Sequence, residues 1–216
     1  MEKLGKGKLT RKTILDAARE IFNEKGINLT IDNLASEMEV TKGKITNHFA
    51  TKDKLFLAIL ADYEEQLGNT LASLREQYES KTLGSVMSLI SPIMDLQFEY
   101  RCSIIYLNVL TPGQSELREH TRRNAARNIE AIRSRISFMV ENKLLKNDIL
   151  QKDAFEAFIF IYINQLTQWV VYFDMYDQER GFKKMKPVYL RGIMHHVYGP
   201  YLTSKGIKEL EELKYK

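Results

Sequence analysis

The residues TKGKITNHFATKDKL, positions 41–55, gather five basic or imidazole side chains and three large apolar ones, Ile45, Phe49 and Leu55. On a short helix, Val40, Ile45 and Phe49 point one way into a small core, and Lys42, Lys44, Thr46, Asn47 and His48 stay outside. The amide of Asn47 and the hydroxyl of Thr46 suit base edges, and the ammonium groups of Lys42 and Lys44 suit bases or phosphates. Gly43 has no side chain and lets a backbone come close. Lys52 stands beside the start of the next helix, where its ammonium and the free N–H groups can meet a phosphate.

Other chemistries lack their residues. The single cysteine, Cys102, rules out an internal disulfide and a Cys-rich zinc site, and a redox role would need exposure and a lowered pKa. His195 and His196 are adjacent, so on a helix they point about 100° apart and do not share one ion. No metal or cofactor is expected. Neither a Gly-rich phosphate loop nor a Gly-x-Ser-x-Gly elbow occurs, and the Ser, His and Asp residues form no catalytic pattern.

The elements that must position the basic stretch are helices. In residues 10–25, Ile14, Ala17, Ala18, Ile21 and Phe22 share one face, with Thr10 able to cap the start and Gly26 the end. A second helix begins after Thr30, carries Asp32 in its first turn, and buries Ile31, Leu34, Ala35 and Met38. After a break at Glu39-Val40, Thr41 caps the third. A fourth starts near Thr51, with a stripe from Phe56 through Tyr63 to Tyr78. Two helices joined by a tight turn, the second short and basic, describe a helix-turn-helix.

Beyond residue 82 the expected helices are more apolar. They cover 83–101, which contains Pro92, then 103–111, 115–142, 151–176 and 188–203, with DQERGFKKMKP (177–187) read as a loop and a short helix in the tail. The fold class is all-α. Few prolines and glycines, 4 and 11, agree with this. The formal net charge of +4 sits in the first twelve residues, where Lys3, Lys6, Lys8, Arg11 and Lys12 face only Glu2; such an arm suits a polyanion. No apolar segment follows the first Met, and the apolar stretch 154–173 contains Glu156, Asn164, Gln165 and Gln168. It reads as a buried helix, no membrane is expected among the partners, and the expected compartment is the cytoplasm.

Residues 10–56 resemble the N-terminal DNA-binding domain of the TetR family of bacterial transcriptional regulators. The matching residues are Ala17, Phe22, Gly26, Thr30-Ile31, Leu34-Ala35, Val40-Thr41-Lys42-Gly43, Ile45, His48-Phe49, Lys52 and Leu55. The resemblance implies DNA contact by Thr30, Thr41, Lys42, Gly43, Lys44, Thr46, Asn47, His48 and Lys52. Two positions depart from the family pattern: Thr46 replaces its usual Tyr and Glu39 the usual Gly of the turn. A non-Gly residue held left-handed costs roughly 1–2 kcal/mol.

The resemblance further implies a DNA-binding domain at 1–55 and a helical ligand-binding and dimerisation domain at 56–216. The partners it implies are a double-stranded DNA operator, a second copy of the chain and a small-molecule effector. Helix 151–176 is apolar nearly all round, so one face covers its own core and another is left for a partner. For the effector, Phe98, Cys102, Tyr106, Tyr162, Gln165 and Trp169 lie on apolar helices near the expected place, and suit a hydrophobic or amphipathic molecule. The implied function is a ligand-responsive repressor on a palindromic operator, not an enzyme. The alternatives are a related helical interaction module that no longer reads DNA, and a small helical enzyme.

Overall fold

The computed structural model describes residues 10–74, 82–109 and 115–215, and for Ser115, 121 and 123–127 only the backbone. Lys3, Lys6, Lys8, Tyr78 and Pro112 lie outside the described residues. Those described form helices α1 (Arg11–Lys25), α2 (Ile31–Glu37), α3 (Lys42–Thr46), α4 (Lys52–Ser73), α5 (Leu83–Glu99), α6 (Arg101–Asn108), α7 (Ser115–Glu141), α8 (Lys152–Tyr172), α9 (Phe182–Gly192) and α10 (Ser204–Glu212). Among them no strand occurs beyond one isolated antiparallel bridge, Leu145 with Leu202. None of the described helices is long and apolar enough to cross a membrane.

The chain groups into two compact units. The first contains residues up to Gln66 together with Glu99–Glu119, and the second Leu67–Phe98 with His120–Lys216. Compactness thus places α6 with the N-terminal helices, whereas the sequence reading divides the chain between residues 55 and 56.

In the first unit, Ile14, Ala18, Ile21 and Phe22 of α1 are buried with Leu34 and Ala35 of α2, Ile45 of α3, Phe49, and Leu55, Phe56 and Ile59 of α4. Ala17 is half-buried, at the edge of its stripe. The first helix starts and stops as expected. The Thr10 hydroxyl accepts from the Thr13 N–H at 3.2 Å, and Gly26, at φ 89°, donates its N–H to the Phe22 carbonyl at 3.1 Å. Helix α6 adds Cys102, Ser103, Ile104 and Tyr106 to this core. The Tyr106 ring stacks on Phe56 at 3.8 Å, and its hydroxyl donates to Asp53 at 2.5 Å.

The second unit is packed by aromatic rings. Phe158 lies 5.5 Å from Tyr162 and 5.6 Å from Tyr198, while Phe182 stacks on Phe98 at 4.2 Å and on Trp169 at 5.2 Å. Gln97 is buried, and its amide is used at both ends: the oxygen accepts from the Trp169 indole and the nitrogen donates to the Leu166 carbonyl, each at 2.8 Å.

Two expectations are corrected here. The supposed loop 177–187 is a short 3-10 turn, Gln178–Arg180, followed by α9 from Phe182, and the last major helix does not begin at Val188. Gly181, at φ 80°, makes the sharp entry that ends the preceding helix. Pro187 then sits inside α9, costing one hydrogen bond that the buried Met185 and Leu190 offset. Helices α8 and α9 also lose strict α-geometry at their ends, α8 continuing as a π-helix at Phe173–Asp177 and α9 at Ile193–Tyr198.

Candidate nucleic-acid interface

Each of the three N-terminal helices is fixed by a different local device. Thr30 and Asn33 form a reciprocal capping box: the Asn33 N–H donates to the Thr30 hydroxyl at 3.1 Å, and the Asn33 side-chain oxygen accepts the Thr30 N–H at 3.2 Å. Asn takes here the place more often held by Glu or Gln. At the turn, the Val40 N–H donates to the Ala35 carbonyl at 2.9 Å, which requires Glu39 to be left-handed, at φ 54°. The strain expected at this non-Gly position is therefore present. The short α3 is then held by Ile45 and Phe49, which are fully buried.

This anchoring leaves a polar face. Thr41, Lys42, Gly43, Lys44, Asn47 and His48 are exposed, and Thr46 is half-buried with its hydroxyl 3.5 Å from the Gly43 carbonyl. Among the described residues, the side chains of Thr41, Lys44, Asn47 and His48 have no hydrogen-bond or ion-pair partner. Lys42 pairs with Asp32 of α2 at 2.8 Å, an exposed contact that costs little to exchange for a phosphate. Gly43 has an ordinary negative φ, and a Cβ there would meet nothing within 4 Å. Neither backbone nor packing demands glycine at that position.

Lys52 lies elsewhere. Its ammonium donates to the Ile27 carbonyl and sits 5.6–5.9 Å from the ring centres of Phe22, Phe56 and Tyr106. Burial pushes its pKa down. The geometry makes it a brace between the start of α4 and the segment entering α2. Arg11, which spacing alone did not single out, lies with its guanidinium 4.7 Å from the centre of Phe49, at the far end of the α3 segment. Only the fold brings these two together.

A second polar cluster sits on α1, α4 and the α5–α6 junction. Asp62 accepts from Tyr100 at 2.6 Å and from Lys12 at 3.1 Å, with Arg19 at 3.9 Å. Burial alone would raise the Asp62 carboxyl, but the bonds from Tyr100 and Lys12 outweigh it and hold the pKa below its ordinary value.

The six residues named for an effector pocket fall in different surroundings. Cys102 and Tyr106 belong to the first unit; Cys102 is 1% exposed, and burial pushes its thiol pKa up to about 12, the opposite of a reactive thiolate. The other four belong to the second unit. Phe98 and Trp169 join the cluster around Phe182, Tyr162 packs on Phe158 and Tyr198, and Gln165 is exposed.

Residues 14–59 match the family described as bacterial regulatory proteins, tetR family. Over 156 residues, 67% of this chain and 71% of the relative, the sequence is 26% identical to the HTH-type transcriptional regulator AcrR of Shigella flexneri. This chain carries a TetR-family DNA-binding domain at residues 14–59. It is accordingly a DNA-binding regulator of transcription with a helix-turn-helix head. Two solved structures show the same fold along nearly the whole chain. A TetR-family transcriptional regulator from Marinobacter aquaeolei VT8 superposes with a TM-score of 0.74 at 20% identity, covering 94% of this chain and 96% of that one. A gamma-butyrolactone receptor described as ArpA-like gives 0.63 at 17%, covering 93% and 92%.

Proposed function

We propose that this TetR-family protein is a repressor that binds a palindromic operator as a homodimer and leaves it when a small hydrophobic or amphipathic effector binds. The observation that carries the DNA reading is Gly43. A glycine that neither backbone nor packing requires, exposed among Thr41, Lys42, Lys44, Asn47 and His48, fits a surface that must come close to another molecule. Asn47 and Thr46 are assigned to base edges in the major groove, and Thr41, Lys42, Lys44 and His48 to phosphates or flanking bases. Thr30 serves mainly by capping α2, and Lys52 by bracing it.

The homodimer reading is supported by an exposed stripe on the second unit. Phe160 is 70% exposed, Tyr172 53%, Met175 65% and Tyr176 65%, and Val188 of α9 is 53% exposed. Exposed residues recur at 161, 165, 168, 172 and 175 along α8 and its π-helical continuation, the mixed three- and four-residue spacing of one helix face, with Phe160 and Tyr176 at its edges. Large apolar side chains this exposed mark an interaction surface. Two copies would hold their recognition helices about 34–36 Å apart, one helical turn of DNA. Release by an effector is supported by the likeness to a protein described as a gamma-butyrolactone receptor.

The test is selection of bound duplexes from a random pool at fixed salt, repeated with Asn47→Ala. An enriched palindrome is expected from the wild type. With Asn47→Ala the preference for that palindrome over random DNA should fall by roughly 5- to 150-fold, the roughly 1–3 kcal/mol of a bidentate base contact. No enrichment by a folded dimer would favour the interaction-module reading.

A further inference from the structure

The second unit contains a groove that the DNA-binding function does not use. Its volume is about 270 Å³, and it is lined by Met87, Ser88, Ser91 and Pro92 of α5, Leu190 of α9 and Lys214 of the C-terminal tail. The four α5 residues lie at positions i, i+1, i+4 and i+5, one face of the helix. Pro92 has no N–H, so the Ser88 carbonyl one turn earlier lacks its helical donor. Among the described residues, the side chains of Ser88, Ser91 and Lys214 have no hydrogen-bond or ion-pair partner. Among the described residues, no acidic one lines the groove. It therefore has an apolar floor of Met87, Pro92 and Leu190, with hydroxyls and one unneutralised ammonium at its rim.

The tail that supplies Lys214 is held on both sides of the groove. The Leu83 N–H donates to Glu209 at 3.1 Å, and Leu213 lies over Gly84, where an added Cβ would be 3.7 Å from its Cδ2. Beyond Lys214, the Tyr215 ring sits 5.3 Å from the Arg191 guanidinium and 6.0 Å from the His195 ring. The ammonium is thus placed by packing before and after it, on α5 and on α9 with its π-helical continuation.

We propose that this groove binds a small amphipathic carboxylate, with the carboxylate on Lys214 and the serine hydroxyls and the hydrocarbon on Met87, Pro92 and Leu190. The proposal names an effector class for the regulator and rests on that reading for its regulatory meaning. Size limits the ligand, since the volume is slightly below the range of about 300–1,000 Å³ typical of drug-sized sites. Charge selects it: a carboxylate makes a charge-assisted hydrogen bond with the ammonium that a neutral alcohol of equal length cannot. Met87 is flexible enough to fit chains of differing shape.

Calorimetric titration of the full-length protein with octanoate, and with 1-octanol as its neutral counterpart, tests this. Octanoate is expected to bind at least about tenfold more tightly than octanol, and Lys214→Met to lose the same factor. Lys214→Arg should retain octanoate, and Ser91→Leu should abolish binding of both by filling the groove, with circular dichroism confirming that each variant is folded. Lys214 is exposed, so its substitution leaves the fold intact even if Ser91→Leu does not. No octanoate binding, equal binding of octanol, or undiminished binding by Lys214→Met would each overturn the proposal. These titrations need no DNA, so their failure leaves the operator reading standing, and failure of the operator selection leaves the groove standing.

Discussion

The head around α1–α3 and the aromatic unit around α8 and α9 use their apolar residues in opposite ways. In the head, large apolar side chains such as Ile14, Phe22, Leu34, Ile45 and Phe49 are at most 2% exposed, and what remains outside is polar. In the second unit, Phe155 and Phe158 are buried to the same degree, yet Phe160, Tyr172, Met175 and Tyr176 stand in the open. A surface that meets the polyanion DNA needs cations and hydrogen-bonding groups, which water solvates well in the free protein. A surface that meets another protein chain gains most from apolar area removed from water. On the reading proposed above, one chain carries two kinds of interface, each marked by what it leaves uncovered.

The largest effect is expected where that contrast is abolished. Phe160→Lys places a charge in the exposed stripe of α8 and should convert a dimer to a monomer in sedimentation experiments. Operator affinity should fall roughly thirtyfold or more, in line with losses of about 2 kcal/mol and above at interface hot spots. The helical circular dichroism should not change. A variant that stays dimeric would show that the stripe is not the contact surface.

A smaller loss is expected inside the aromatic unit. Gln97→Leu leaves the buried Trp169 indole without its partner and removes the side-chain bond to the Leu166 carbonyl, and should cost about 1–3 kcal/mol in denaturant unfolding. Operator discrimination should be unaltered, because no base-reading residue touches this site. An unchanged midpoint would mean that other groups satisfy both atoms.

In the head, Glu39→Gly should raise stability by up to about 1 kcal/mol. It relieves the left-handed strain at φ 54° and loses part of that gain to the greater freedom of glycine in the unfolded chain. Binding to any duplex should also tighten, since a negative charge leaves the neighbourhood of α3. Weaker binding would show that Glu39 has a favourable role on DNA.

The smallest effect concerns Asp62. Its folded pKa lies below the ordinary 3.8, so its contribution to stability is present above that value and is lost as the pH falls through the folded pKa. Asp62→Asn should therefore lower Tm at pH 7, and the gap to the wild type should close on acidification below pH 3.8. A gap that persists at low pH would assign the effect to shape and not to charge.

Much of the head was legible because its signals are local. The Thr10 cap, the stop at Gly26 and the Glu39 turn act within a few residues, and periodicity assigned Ile45 and Phe49 to the core. The helix through Pro187 was not legible. Sequence rules count proline as a breaker, and the burial of Met185 and Leu190 that outweighs it is a tertiary fact. Asn33 likewise completes a capping box that a search for Glu or Gln passes over. For Lys52, sequence showed a cation at a helix start but not the three rings and the Ile27 carbonyl that turn it inward.

By itself, then, the sequence determined the helices of the head, the polar face on α3 and the family resemblance, since each rests on spacing along one stretch of chain. Only the tertiary structure decided which cations are spoken for, that α6 packs with the head, and that a tail lysine lines one groove with two serines of α5. Such meetings join residues far apart in the chain, as Leu83 and Glu209 are at 126 positions. No local rule carries that distance, because long-range contacts are selected by the packing of the whole unit.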